Sequence, residues 1–461
     1  MWLVGVATIQ AQPERYELGR RLREFEAAWE RQTDAEARRR AVPLLDRAVQ
    51  TFFSFRLAEA ARLMDQARFE LLDPKPTADA RWATSLVVKP ETRFLDVAAP
   101  HLRTTLEPFY PARESDPKDL VLRQALLDAQ GMKVAGSETK VPLLPHQETL
   151  PTVNLPEGDF TLRYELCRDD AVLADGKIMI ARAERIKDRL AALRAAAESG
   201  KDAALNVEAA TLRHHVNVLT RLAEGTAPET DYPAHRLLVE AETLAKVVAK
   251  NERYFDAQRT GEFWLAVPVD KTTAVVRIWI PEADPMTSPR PLVVALHGAG
   301  GSENMFFDTY GNGLVAKLAR DRKWIVVAPR QGGGNLPRLV EELARMYPVD
   351  PKRVFAVGHS MGCAQAMNFV SQSPRTFAAV AGLGGGGRVR GSDDLREVAF
   401  FVGVGVKDFA LGGARGLRNQ LQQLKVSQLV SKEYPDIEHL VIVQHALPDV
   451  FKFFDEVAAK R

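Results

Sequence analysis

The chain is expected to be an α/β protein, with a mostly parallel sheet carrying helices on both faces, preceded by helical segments and a small β-sandwich. Three observations predict this. Short apolar runs at 291–296, 324–328, 353–357, 377–381 and 398–404 alternate with stretches of helical composition, and several of them end in clusters of small residues. Residues 14–72 and 184–258 are rich in Ala, Arg, Glu and Leu with apolar residues at helical spacing. Between them, 81–183 changes to short alternating runs such as 159–167 and 177–180, separated by the turn Arg168-Asp169-Asp170. The expected organisation is a segment 1–11 resembling the tail of a secretory signal, a helical segment 12–78, a β-sandwich-like domain 79–183, a helical connector 184–258 broken near Gly225-Thr226-Ala227-Pro228, and the parallel-sheet domain 259–461.

Within the last domain, Gly358-His359-Ser360-Met361-Gly362 follows the apolar run 353–357 and precedes a helix-favouring run at 363–371. Strand, sharp turn and helix in that order are the setting of a nucleophile elbow, in which a strained serine is held above the sheet and glycines two positions either side avoid collision with the neighbouring elements. A buried serine in a tight turn is the plainer alternative. Upstream, the run 291–296 ends in His297-Gly298-Ala299-Gly300-Gly301. Such a turn lets backbone N–H groups approach a developing oxyanion closely, and the expected donors are Gly298 or Ala299 together with Met361.

Residues 261–460 resemble an α/β-hydrolase, on the strength of the elbow and of the segment Leu296-His297-Gly298-Ala299-Gly300-Gly301-Ser302-Glu303-Asn304-Met305-Phe306-Phe307. The nearest likeness is to bacterial esterases related to polyhydroxybutyrate depolymerases, feruloyl esterases and dienelactone hydrolases, which border on the prolyl-oligopeptidase catalytic domains. The resemblance implies a serine esterase acting through an acyl-enzyme, with chain order serine, acid, histidine. The acid it implies is Asp408, directly after the run 398–404, with Asp393 and Asp394 as rivals after the preceding strand. The histidine is His439 if the last strand occupies 428–434, and His445 if it occupies 440–444. The closing helix is expected to start near Leu447-Pro448-Asp449. A serine peptidase of the prolyl-oligopeptidase type would use the same groups, but the upstream half lacks the repeats of a propeller. A carbohydrate- or surface-binding protein, with the sandwich as the working part, is the third reading.

Only residues 382–397 separate the strands that flank the acid loop, too few for an inserted lid, so an open or shallow cleft is expected for a small-molecule or polymeric ester. The loops 382–387 and 331–334 are glycine-rich and fall at strand ends, where open α/β sheets place ligands. With 62 basic and 60 acidic residues, net +2, the composition offers no field for nucleic acid or an anionic membrane. No stretch approaches the roughly 20 apolar residues of a membrane span. The two cysteines, Cys167 and Cys363, do not make a disulfide framework. No cofactor or metal is expected. Gly311-Asn312-Gly313-Leu314-Val315-Ala316 lacks a leading strand and is read as a helix start, His214 and His215 point different ways on a helix, and Phe52, Phe53 and Phe55 are assigned to a helix interface.

Overall fold

The computed structural model describes residues 13–112, 119–199, 206–226, 229–282, 288–330 and 334–461. The signal-like segment 1–11 and most of the loop 331–334 lie outside the described residues. The first helices are α1 (Pro13–Arg31), α2 (Ala35–Phe53), α3 (Leu57–Leu71) and α4 (Ala78–Thr84). Eight strands follow: β1 (Leu86–Pro90), β2 (Phe94–Asp96), β3 (His101–Pro108), β4 (Leu120–Leu127), β5 (Lys133–Lys140), β6 (His146–Pro151), β7 (Gly158–Arg168) and β8 (Ala171–Ala183). Then come α5 (Ile186–Ser199), α6 (Val207–Ala223) and α7 (Ala234–Lys250). The remaining elements are β9 (Gly261–Val269), β10 (Thr272–Ile280), β11 (Arg290–Leu296), α8 (Met305–Asp308), α9 (Tyr310–Arg322), β12 (Ile325–Pro329), α10 (Leu336–Met346), β13 (Val349–His359), α11 (Met361–Gln372), β14 (Ala379–Leu383), β15 (Ala399–Gly405), α12 (Leu411–Leu424), β16 (Gln428–Tyr434) and α13 (Ile442–Ala458).

The chain divides into two compact units. One holds the described residues up to Arg21, with Ala48–Ala195 and His215–Thr243. Its strands form a three-stranded sheet β1-β3-β6 and a five-stranded sheet β2-β8-β7-β4-β5. Alternate residues of both, among them Leu86, Val88, Leu102, Leu106, Leu122, Leu162 and Ile178, share one apolar core, the arrangement of a sandwich.

The other unit combines Leu22–Arg47, Ala196–His214 and Leu244–Arg461. Its eight strands run in the order β16-β15-β14-β13-β11-β12-β10-β9. The six from β16 to β12 pair in parallel, and the β9–β10 hairpin joins the edge antiparallel. β12, β14 and β15 are buried along their whole length, which explains their unbroken apolar runs: with layers on both faces, no position is left for alternation. Phe355 stacks on Phe454 at 4.7 Å between ring centroids, and Trp324 on Phe451 at 5.9 Å, fixing α13 to the sheet. The strand order reverses around β11, so the carboxyl ends of β11 and β13 border a crevice.

Three expectations need correction. Helix α13 begins at Ile442 and carries Pro448 inside it, because the buried face of Ile442, Val443, Ala446, Leu447 and Val450 gains more than the missing proline N–H loses. Phe53, the last residue of α2, and Phe55 are 51% and 84% exposed; the chain leaves α2 through a left-handed turn at Phe55, φ 59°, which carries that ring off the helix interface. The segment at Gly311 is first a left-handed turn, with φ of 26°, 69°, 54° and 72° from Tyr310 to Gly313, and is regular helix only from Leu314. Both cysteines are free and buried, and burial pushes the Cys363 thiol up to about 12. His215 is buried with Nε2 3.3 Å from Glu240 Oε2, and no group of metal-binding side chains occurs among the described residues.

The elbow is tightly packed. A Cβ at Gly358 would overlap the carbonyl of Gly362, and a Cβ at Gly362 would overlap the carbonyl of Leu296. Neither partner is a side chain that can swing away. Gly416, on the open face of α12, has no neighbour within 4 Å of such an atom. Gly362→Ala should therefore cost about 1–3 kcal/mol or more in thermal unfolding. Gly416→Ala should instead stabilise by about 0.5–1 kcal/mol.

Candidate functional site

Ser360 stands between β13 and α11 with φ 53° and ψ −115°, a conformation that L residues rarely adopt, and its N–H is held by Leu383 O at 2.9 Å. The strain is tolerated because β13 and α11 are both packed and the two glycines permit the approach. The side chain is only partly buried.

Asp408 follows β15 in a tight turn closed by its own N–H to Gly405 O at 3.1 Å. Its Oδ1 accepts the N–H of Ala410 at 2.8 Å and faces His439 Nδ1 at 3.0 Å. Asp408 and His439 are 4% and 3% exposed. The last strand ends at Tyr434, so His439 lies in the loop before α13, where Val406 N–H and Lys407 N–H bind Tyr434 O at 2.9 Å and Ile437 O at 3.0 Å. His439 Nε2 is 3.0 Å from Ser360 Oγ. The Nδ1 proton belongs to the bond with Asp408, which leaves Nε2 as the acceptor for the serine hydroxyl. The three residues thus form one hydrogen-bonded line.

The rivals are placed elsewhere. His445 lies inside α13 with its ring edge-on to Tyr434 at 5.2 Å. Asp394 pairs with Arg375 at 2.9 Å and Asp393 with Arg396 at 3.3 Å, on exposed surface. Of the expected backbone donors, the N–H of Gly298 is already aimed at Tyr310 Oη at 3.4 Å. The N–H groups of Ala299 and Met361 meet no acceptor among the described residues. A Cβ on Gly298 would lie 3.4 Å from Ser360 Cβ, so this loop closes on the serine. Loop 384–387 makes a close approach as well, but to the site's own framework: a Cβ on Gly384 would stand 2.9 Å from Asp408 Oδ2.

Several further side chains surround the line. Tyr310 Oη is 2.6 Å from His359 Nδ1, and His359 Nε2 is 2.9 Å from His439 O. A carbonyl only accepts, so His359 carries its proton on Nε2 and Tyr310 donates to Nδ1. Burial first, then the neighbouring His439, holds the His359 pKa well below the usual value, so this ring is neutral. The connected order is Gly298 N–H to Tyr310, Tyr310 to His359, His359 to His439 O. Phe409 is 60% exposed with its ring 4.3 Å from that of His439, and Met361 and Val406 are each 40% exposed, giving an apolar rim. Asp46 of α2 is half-buried, and burial and the charge of Asp408 raise its pKa. Adjacency to Ser360 or Asp408 could have pointed to His359, Met361, Val406 and Phe409, whereas Tyr310 and Asp46 are remote in sequence.

No protein-family model and no curated protein sequence match the chain. Solved structures do. The Staphylococcus aureus fluorophosphonate-binding serine hydrolase F, in a substrate-bound structure, is similar at 13% identity and a TM-score of 0.36, over 42% of this chain and 96% of its own. A Clostridium thermocellum feruloyl esterase module, solved as a mutant with sinapinate, is similar at 15% identity and a TM-score of 0.37, over 44% of this chain and 92% of its own. A putative dienelactone hydrolase from Klebsiella pneumoniae is similar at 12% identity and a TM-score of 0.34, over 42% and 97%. From the strand order of this chain itself, the C-terminal part is an eight-stranded, mostly parallel α/β sheet with helices packed on it.

Proposed function

We propose that the chain is a serine hydrolase that cleaves carboxylic esters through an acyl-enzyme. The observation that carries this is the line Ser360 Oγ to His439 Nε2 to Asp408 Oδ1, with both links at 3.0 Å. In this reading His439 takes the Ser360 proton while Oγ attacks the ester carbonyl carbon. Asp408 holds the ring's orientation and stabilises the imidazolium. The carbonyl oxygen, now an anion, is received by the N–H groups of Ala299 and Met361, which are free to bind it. Collapse expels the alcohol, which takes the proton from His439. A water molecule then gives a proton to His439 as it attacks the acyl carbon, and collapse releases the acid while His439 returns that proton to Ser360 Oγ. Neutral His359 adds no second positive charge beside the imidazolium, which favours its formation.

Only a loop with one short 3-10 turn, Asp394–Glu397, lies between β14 and β15, which supports a substrate that reaches the serine from an open side. Phe409, Met361 and Val406 would line the approach and select an apolar acyl or alcohol group.

The test is hydrolysis of nitrophenyl esters beside the matching anilides. Ser360→Ala should lower kcat about 10⁴-fold or more and remove the burst of nitrophenol, and Asp408→Asn should lower it about 10³- to 10⁴-fold. His445→Ala should leave the rate unchanged. A Ser360→Ala protein that keeps its activity, or a wild type that cleaves anilides and ignores esters, overturns the reading. Phe409→Ala should raise KM for long or aromatic acyl esters about 10-fold, with a smaller effect on acetate, in a KM series over acyl length.

A further inference from the structure

Two carboxyl groups that the proposed mechanism leaves idle are buried behind the site. Glu26, in α1, is 2% exposed, and Glu438, beside His439, is 0% exposed. Each has one engaged and one orphaned oxygen. Glu26 Oε2 accepts the N–H of Gly311 at 2.9 Å, while Glu438 Oε1 accepts those of Leu440 and Val441 at 2.8 and 2.9 Å. Glu26 Oε1 and Glu438 Oε2 are buried without a hydrogen-bond partner among the described residues, as is Gln444 Oε1 of α13. The turn and α13 meet here, since a Cβ on Gly311 would lie 2.9 Å from Gln444 Cβ. An ionised carboxylate with a bare buried oxygen is costly, and the neutral acid relieves that cost.

What these groups hold is the backbone that presents the site. Four consecutive residues, Tyr310 to Gly313, have left-handed φ, and two of them are not glycine. Such a turn is strained unless its surroundings impose it. The Glu26 carboxyl ties its second residue, Gly311, and Gly313 N–H closes it onto Thr309 O at 2.9 Å. Tyr310, at the head of the turn, makes the bonds to Gly298 N–H and His359 described above. Glu438 performs the matching task on the other side, fixing the turn directly after His439.

Resting on the ester-hydrolase reading, we propose that Glu26 is a positioning residue of the site: by tying Gly311 it sets Tyr310, and through Tyr310 and His359 it sets both the Gly298–Ala299 loop and the backbone of His439. A helix far upstream of the parallel sheet is thereby part of the working site. The charges facing the pair are Arg23 and Glu30 from α1 itself, Glu438 from the His439 loop, and Asp408 and His439 on the far side of Glu438. Burial dominates both groups and pushes Glu26 up to about 8 and Glu438 up to about 7, the backbone N–H bonds pulling the other way. Near neutral pH, Glu26 therefore keeps its proton. As pH rises through 8 it ionises beside Glu438, and the two like charges strain the turns they hold.

The experiment compares Glu26→Ala and Glu26→Gln with wild type in the full chain, reading kcat and KM on a nitrophenyl ester from pH 6 to 10, labelling of Ser360 by a fluorophosphonate, and melting temperature. Glu26→Ala should lower kcat and the labelling rate about 10- to 100-fold with KM within about 2-fold, the scale of a small misplacement of reacting groups. Glu26→Gln keeps an acceptor for Gly311 and should retain most of kcat at pH 7 while losing the fall in kcat above pH 8. The stability sign follows from the raised pKa: the folded state holds a proton that the unfolded state has released between roughly pH 4.5 and 8, so wild-type stability falls across that window. The melting temperature of Glu26→Gln should accordingly rise relative to wild type from pH 5 to 9. Equal kcat and labelling in Glu26→Ala and wild type overturn this inference alone; wild type that fails to label overturns the hydrolase reading and this inference with it. If Glu26→Ala does not fold, a Glu26→Gln profile with an unchanged alkaline limb overturns it.

Discussion

The left-handed backbone of Ser360 is the constraint on which the remaining geometry depends. At φ 53° and ψ −115°, the residue sits where a side chain normally meets its own backbone, and only the surrounding framework keeps it there. The framework is β13, buried along the centre of the sheet, and α11, whose first turn lies against the end of β11 through the missing side chain of Gly362. Burial of whole apolar strands on both faces supplies far more than the few kcal/mol that one strained residue costs. The strain places Oγ at the crevice where the strand order reverses, within reach of a loop from β11 on one side and from β16 on the other.

Those two loops would be independent of each other but for a polar chain. Tyr310 and His359 link the backbone at Gly298 to the backbone at His439 through three hydrogen bonds, all buried. In a low-dielectric interior such bonds are short of competing water, and a broken one leaves a desolvated group behind. The neutral state of His359 matters to this chain, since protonation at Nδ1 would remove the acceptor that Tyr310 needs. Burial enforces that state.

The compact unit that holds the site is assembled from three stretches of chain, and Leu22–Arg47 and Ala196–His214 belong to it beside the C-terminal residues. The composition change near residue 259 marks where strands begin and gives no sign of this. Glu26 and Asp46 bring acidic groups from α1 and α2 into the same unit. Residues distant in sequence come together in space, while composition changes only along the chain, so the boundaries of the compact unit and of the strand-rich region differ.

The sequence by itself determined the strand-turn-helix at Ser360, the parallel sheet and the alternation of the sandwich strands, because each is encoded by neighbours a few residues apart. Apolar runs, glycine spacing and period-two patterns are local quantities. The choice between His439 and His445 turned on the end of one strand, which the register of β16 against β15 sets through Tyr434 opposite Gly405. The start of α13, the exposure of Phe55, the left-handed turn at Gly311 and the contacts of Tyr310, His359, Glu26 and Glu438 were decided only in three dimensions. They depend on groups that approach each other across tens to hundreds of residues, where burial removes water and a carboxyl or imidazole changes its preferred charge, and no local pattern records that.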